Sequence, residues 1–188
     1  ELREMPVRSG QLGIYDKVIP TLKSEITVLN DANVMLKPDA IRQIVYLYAD
    51  TRVGAVSGNQ RSVAPLGKML MIHEEIYRNF ETHLKQIMGK LGILIGCYGA
   101  IFSIRRELFH PVGAIPMNAD MVIPLEILAA NYRIEFAVKG LAYEETEQTI
   151  QEEYNRRKRI IGYNIPIISR GIRLTSKAGL LPLFTFII

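Results

Sequence analysis

The sequence has one cysteine, Cys97, among its 188 residues. That excludes an internal disulfide and any zinc site built from several thiolates, and a reducing compartment is the simpler setting. No uninterrupted apolar run approaches the roughly 20 residues that cross a bilayer. The nearest to one is the final stretch, "AGLLPLFTFII", about half that length. It reads equally as a docked core segment and as a membrane segment cut short. The opening "ELREMPVRSG" lacks a basic region followed by an apolar one, so no signal peptide is expected. It also lacks an initiator Met, so the sequence is expected to be a piece of a longer chain.

Acidic residues are missing from one long stretch, "NRRKRIIGYNIPIISRGIRLTSK", which carries Arg156, Arg157, Lys158, Arg159, Arg170, Arg173 and Lys177. The whole chain has a net charge of +4 and a pI near 9.2, so the basic excess is modest but concentrated there. Phosphate, nucleic acid and an anionic membrane surface all suit such a segment. Hydrophobic residues make up 48% and charged residues 22%, which fits a mostly globular chain of about one domain.

Hydrophobic spacing sets the order of elements. Residues 14–24 read as a helix despite Pro20, and residues 25–29 as a strand. Pro38-Asp39 then opens a helix in which Ile41, Ile44, Val45 and Tyr48 recur at helical spacing. "VGAVSGNQRSV" is a second strand, and this strand, helix, strand order predicts a parallel α/β sheet. From Lys68 to Lys90 a long helix is expected, with Met69, Ile72, Ile76, Phe80, Leu84 and Ile87 as its packing face. "GILIGCYGAIFSIRRELF" reads as a glycine-rich turn, an apolar strand and a short helix opened by Arg105-Arg106. After the loop "HPVGAIPMNAD", "MVIPLEILAANY" reads as a helix and "RIEFAVKGLAYEE" as an extended segment.

Three places could carry chemistry. Asp31-Ala32-Asn33 stands where a strand leaves the core, and ligands of α/β sheets gather beyond such carboxyl ends. Its two oxygen-bearing side chains suit a hard divalent cation, although Asp and Asn are also common turn formers. Asp120 stands at the start of a helix, where it fits a general base or a plain N-cap. Arg156 and Arg159 share one helical face, as a phosphate clamp or as a solvated basic face.

Taken in order, these segments resemble the family-two glycosyltransferases with the GT-A fold. "EITVLNDANVMLKPDAIRQIV" is similar to the family's strand, Asp-x-Asp and Pro-Asp-Ala run, and "RVGAVSGNQ" to its next strand. "GCYGAIFSIRRELF" is similar to the Gly-x-x-Gly-Ala segment, "NADMVIPLEILAANYRIEFAVKGLAYEE" to the Asp-Asp motif with its helix and strand. "EEYNRRKRI" matches the Gln-x-x-Arg-Trp neighbourhood. The departures are Asn33 for the second carboxylate, Ala119 where an acid precedes the base, Arg156 in the Gln position and Ile160 in the Trp position. The missing Trp counts against a processive synthase. Gly10-Gln11 replaces a usual Gly-Lys, and family members carry earlier strands that hold the nucleoside.

The resemblance implies a Rossmann-like GT-A fold, present in part, with a mixed, mostly parallel sheet flanked by helices. Residues 1–164 would form the C-terminal portion of the transferase domain, and residues 165–188 a basic and apolar tail that meets a membrane interface. It implies inverting transfer of a sugar from a nucleotide-diphosphate donor, expected to be a UDP-sugar, to an acceptor hydroxyl. Asp31 and Asn33 would hold Mg²⁺ or Mn²⁺ on the donor diphosphate, Asp120 would be the base, and Arg156 and Arg159 would hold the leaving diphosphate. The turn from Gly96 to Gly99 would let backbone approach the donor sugar or acceptor. The implied acceptor is a saccharide or a lipid-linked one, no nucleic acid partner is implied, and the location would be the cytoplasmic face of a membrane, or otherwise the cytoplasm. A non-catalytic module of the same fold and a nucleotidyltransferase remain alternatives.

Overall fold

The computed structural model describes residues 10–63, 68–113, 116–145 and 150–187. Helix α1 (Gly10–Val18) and a 3-10 turn (Ile19–Thr21) lead into β1 (Ile26–Asn30) and β2 (Val34–Leu36). Helix α2 (Ala40–Val45), extended by a 3-10 turn (Tyr46–Ala49), crosses to β3 (Val53–Val63). Helix α3 (Lys68–Leu91), β4 (Ile101–Arg105), α4 (Ala119–Ala129) and β5 (Arg133–Glu145) follow, then α5 (Ile150–Ala178) and α6 (Leu180–Ile187). The first helix starts earlier than its spacing predicts. The last long one runs unbroken through residues 164 and 165.

The strands form a five-stranded sheet in the order β1-β4-β3-β5-β2. β1, β3 and β5 share a direction, but β4 inserts antiparallel between β1 and β3, and β2 lies antiparallel along β5. Among the described strands only β3 and β5 pair in parallel. The sheet is mixed, as expected, but the expected parallel majority is corrected: its pairs are mostly antiparallel. The α2 crossover does carry β1 to a strand of the same sense, as a βαβ reading requires, but leaves between them a slot that β4 fills.

β4 is buried along its whole length, as befits a central strand covered on both faces. Phe102 and Ile104 join one core with Leu12, Leu29, Ala55, Ile134 and α4. Ile101 faces the other, under α2, with Ile44, Val53, Val56 and Ala137. This is the two-residue alternation of a strand read on both sides. Arg105 ends β4 as part of the strand, not of the helix after it. Its guanidinium is buried and donates to the carbonyls of Val53, Tyr48 and Asp50 at 2.8, 3.0 and 3.4 Å, tying β4 to the α2 crossover.

In α3 the expected packing face is corrected. Phe80, Leu84 and Ile87 are exposed, while the side chains of Met69, Ile72 and Ile76 lie outside the described residues. The inward face is Thr82, Lys85 and Met88, which meet the sheet through polar as well as apolar groups. At the other end of the chain α6 folds back on α5. Phe186 lies against Gly171, where any Cβ would collide with its ring.

Candidate functional site

A cleft of about 1160 Å³ opens beyond the carboxyl ends of β1 and β3. Asp31, Gly96, Gly99, Asp120, Arg156 and Arg159 all line it, together with Gln11. Among the described residues, six of the seven positions singled out in the sequence are therefore brought together around one opening. The seventh, Asn33, is exposed and does not line it.

Asp31 sits in a turn forced by the divergence of two strands. β1 pairs with β4 up to Asn30, whereas β2 leaves to pair with β5. The Val34 N–H closes the turn on the Asp31 carbonyl at 3.3 Å, and Asn30 Nδ2 donates to the same oxygen at 3.0 Å. Burial raises the Asp31 carboxyl above its ordinary range, and the neighbouring Glu144 raises it further. Arg156 and Arg159 pull the other way. The arginines of α5 are thus within electrostatic reach of the carboxylate, as a clamp on a shared ligand would require.

Asp120 is the second residue of α4, and the N-cap position belongs to Asn118, which makes no side-chain capping bond. The plain capping role is therefore not the one it fills. Pro124 explains how its backbone is used. A proline has no N–H to offer the carbonyl four residues earlier, so the Asp120 carbonyl is left without its helical partner and accepts the Cys97 N–H at 2.8 Å. The backbone N–H groups of Gly99 and of Asp120 itself favour the charged carboxylate. A Cβ on Gly99 would stand 3.0 Å from Asp120 Oδ2, so a side chain there would push the carboxylate aside.

The turn is fixed from its other sides as well. Tyr98 N–H donates to Ser57 Oγ of β3 at 2.9 Å. Lys85 Nζ donates to the Gly96 carbonyl at 2.7 Å and lies 4.6 Å from the centre of the Tyr98 ring. Burial pushes the Asp120 carboxyl up to about 6, against the pull of Lys85 and with a smaller push from Asp31. A carboxylate near that value is ionised at neutral pH and still basic enough to take a proton. Burial also pushes the Cys97 thiol up to about 12, which leaves it an inert core group.

Sequence reasoning missed three residues that line the cleft: Lys85, Gln60 and Glu144. Lys85 looks like any polar position of an amphipathic helix, and Gln60 like one of a strand. Glu144 belongs to the "AYEE" run, where its strand returns to the end of β1. It accepts from Asn33 Nδ2 at 3.3 Å and from Gln60 Nε2.

No protein-family model matches the chain. It is 25% identical over 154 residues to the O-antigen chain rhamnosyltransferase of Salmonella typhimurium, covering 74% of this chain and 47% of that protein. Its fold superposes with a TM-score of 0.69 on a mannosyltransferase from Pyrobaculum calidifontis, solved in complex with GDP-mannose and Mn²⁺. The likeness is to glycosyltransferases. At 21% identity the second match concerns the fold, over 92% of this chain and 46% of that one. The glycosyltransferase-like chain thus spans about half the length of the proteins it matches.

The oxygen-rich donors fit a hard divalent cation. Asp31 and Glu144 supply carboxylates, and no cluster of three His, Cys, Asp or Glu forms among the described residues. Such a set leaves coordination positions to water and phosphate, the usual arrangement for Mg²⁺ shared with a nucleotide.

Proposed function

We propose that this chain carries the catalytic portion of an inverting, metal-assisted family-two glycosyltransferase of the GT-A fold, acting on a nucleotide-diphosphate sugar. The observation that supports it best is the placement of Asp31, Asp120, Arg156 and Arg159 around one cleft. Carboxylates stand at the ends of the strands, arginines on the opposite helix, and a carboxyl poised near neutrality between them.

Mg²⁺ or Mn²⁺ held through Asp31 would offset the charge that builds on the leaving diphosphate. Asp120 takes the proton of the acceptor hydroxyl as that oxygen attacks the anomeric carbon from the face opposite the diphosphate, which inverts the centre. The N–H groups of Gly99 and Asp120 and the nearby Lys85 steady the carboxylate before and after it is protonated. Arg156 and Arg159 meet the departing diphosphate with charge-assisted hydrogen bonds. The Gly96–Gly99 turn, expected to admit donor or acceptor, serves in this reading chiefly to seat the base.

These residues address the diphosphate and the acceptor proton, not the nucleobase. The UDP-sugar expectation is therefore tested by assay of UDP- and GDP-sugars side by side. In the full-length protein, sugar transfer dependent on Mn²⁺ and lost in Asp31→Ala supports the reading. Metal-independent transfer, or an Asp31→Ala variant with full activity, refutes it.

The same proposal places the protein at the cytoplasmic face of a membrane, with a saccharide or lipid-linked acceptor. Among the described residues no helix is long and apolar enough to cross a membrane. Support comes from a surface along α5, where Ile161, Ile165, Ile168 and Ile172 recur at helical spacing and are exposed. Leu180, Phe184 and Ile187 are exposed on α6, and the exposed Lys158, Arg173 and Lys177 stand on α5. Arg170, expected among the membrane-facing cations, is instead held by Glu126 at 2.5 Å. An apolar stripe beside cations suits an interfacial helix at an anionic leaflet.

A further inference from the structure

The motif at the end of β1 is one carboxylate short. Asn33 stands where a second acid would complete the pair, and it is exposed and outside the cleft lining. A divalent ion bridging Asp31 and a diphosphate would then meet one formal protein charge from this turn.

Glu144 changes that count. It comes from β5, directly opposite Val34 in the β2–β5 register, and lines the cleft with Asp31. Each of its oxygens takes one amide N–H, Oε1 from Asn33 and Oε2 from Gln60. Amide donors hold a carboxylate in place without cancelling its charge. Two like charges thereby face one cleft and repel, Asp31 from the end of β1 and Glu144 from β5 across the β2–β5 register. A cation between the two carboxylates would relieve that repulsion, which water alone screens only in part.

We propose that Glu144 is the second carboxylate of the metal site, and that Asn33 acts behind it, as the amide that orients Glu144 and not as a ligand. This rests on reading the cleft as a metal-assisted nucleotide-sugar site.

The test is Mn²⁺ binding followed by electron paramagnetic resonance in the full-length protein, with saturating UDP or GDP. Wild type is compared with Asp31→Ala, Glu144→Gln and Asn33→Ala. Glu144→Gln is expected to weaken Mn²⁺ binding about 10- to 100-fold, and Asn33→Ala by less, on the scale of lost ligand-orienting contacts. A loss in Asn33→Ala larger than that in Glu144→Gln overturns the proposal and makes Asn33 the ligand. So does a silent Glu144→Gln beside a damaging Asp31→Ala, and the reading of the site then survives. If wild type binds no Mn²⁺ with diphosphate present, or Asp31→Ala is silent, the proposed function itself falls. Should Glu144→Gln fail to fold, Glu144→Asp keeps the charge on a shorter arm, and unchanged Mn²⁺ affinity in that variant overturns the proposal equally.

Discussion

The two walls of the cleft are held by different means. On the sheet wall, Glu144 of β5 accepts from Asn33 and from Gln60 of β3, while the 96–99 turn accepts from Lys85 of α3 and donates to Ser57 of β3 and to the Asp120 carbonyl, partners far apart in sequence. The opposite wall is one helix, α5, which carries Arg156 and Arg159. It is anchored to α4 by Asn118 Nδ2 donating to Asn164 Oδ1 at 2.6 Å and by Arg170 on Glu126. On the first wall the hydrogen bonds hold the site groups themselves, whereas α5 is seated by residues away from Arg156 and Arg159, among them the buried Ile167 and Leu174. Proton transfer needs such precision, whereas charge offset needs only a cation within reach. Changes on the sheet wall should therefore act on rate, and changes on the helix on affinity.

The largest effect should come from Asp120→Asn. Turnover is expected to fall about 10²- to 10⁴-fold, the scale of a lost general base, while donor affinity measured by calorimetry stays nearly constant. The same change should raise stability at neutral pH. The folded Asp120 carboxyl holds its proton up to about 6, above its ordinary 3.8, so folding favours the protonated form. That contribution is complete below about pH 4 and lost as pH rises to about 6, leaving a penalty of about 2 to 3 kcal/mol above it. Thermal melting at pH 7.5 should show Asp120→Asn more stable than wild type. A variant equally stable and still active would erase the distinction between the walls.

Next in size is Arg159→Ala, expected to weaken diphosphate binding about tenfold, one charge-assisted contact at a partly solvated site. Binding of UDP or GDP with Mn²⁺ is the readout, and a change confined to turnover would contradict the assignment. A pH series sharpens the same contrast. Log kcat/KM should rise with pH through about 6 and then flatten, falling about tenfold per unit below it as the base is protonated. Diphosphate affinity should not follow that curve. The smallest effect is expected at the outer face of α5, where Ile165→Ser with Ile168→Ser should reduce flotation with anionic liposomes several-fold and leave neutral ones unaffected. Equal flotation of wild type and variant with anionic liposomes would remove the membrane from the account.

Much of this was legible in the sequence, and the rest was hidden for identifiable reasons. β3 and β5 were readable because each is a continuous run bounded by turn residues. Asp31 and Asp120 were readable because each lies where an apolar segment begins or ends. The sense of β4 was not, because strand pairing across the sheet depends on contacts far apart in the chain, which local spacing does not encode. The face of α3 was misjudged for a related reason. Its apolar stripe, Phe80, Leu84 and Ile87, is exposed, while Lys85 turns inward because the Gly96 carbonyl and the Tyr98 ring receive it. Glu144 was hidden as one acid among several, and only the β2–β5 pairing brings it to Asn33.

Pro124 frees the Asp120 carbonyl to hold the Cys97 amide, and that bond places the chain's lone thiol inside the turn that seats the base. Cys97 can therefore serve as an internal clock. Cys97 lines the cleft but is nearly buried, so an alkylating reagent gains full access to it as the 96–99 turn opens, and its labelling rate follows that opening. With no other sulfhydryl in the sequence, the label reports on that turn alone. Slower labelling with donor and metal present would measure, without any sugar being transferred, how firmly substrate locks the base in place.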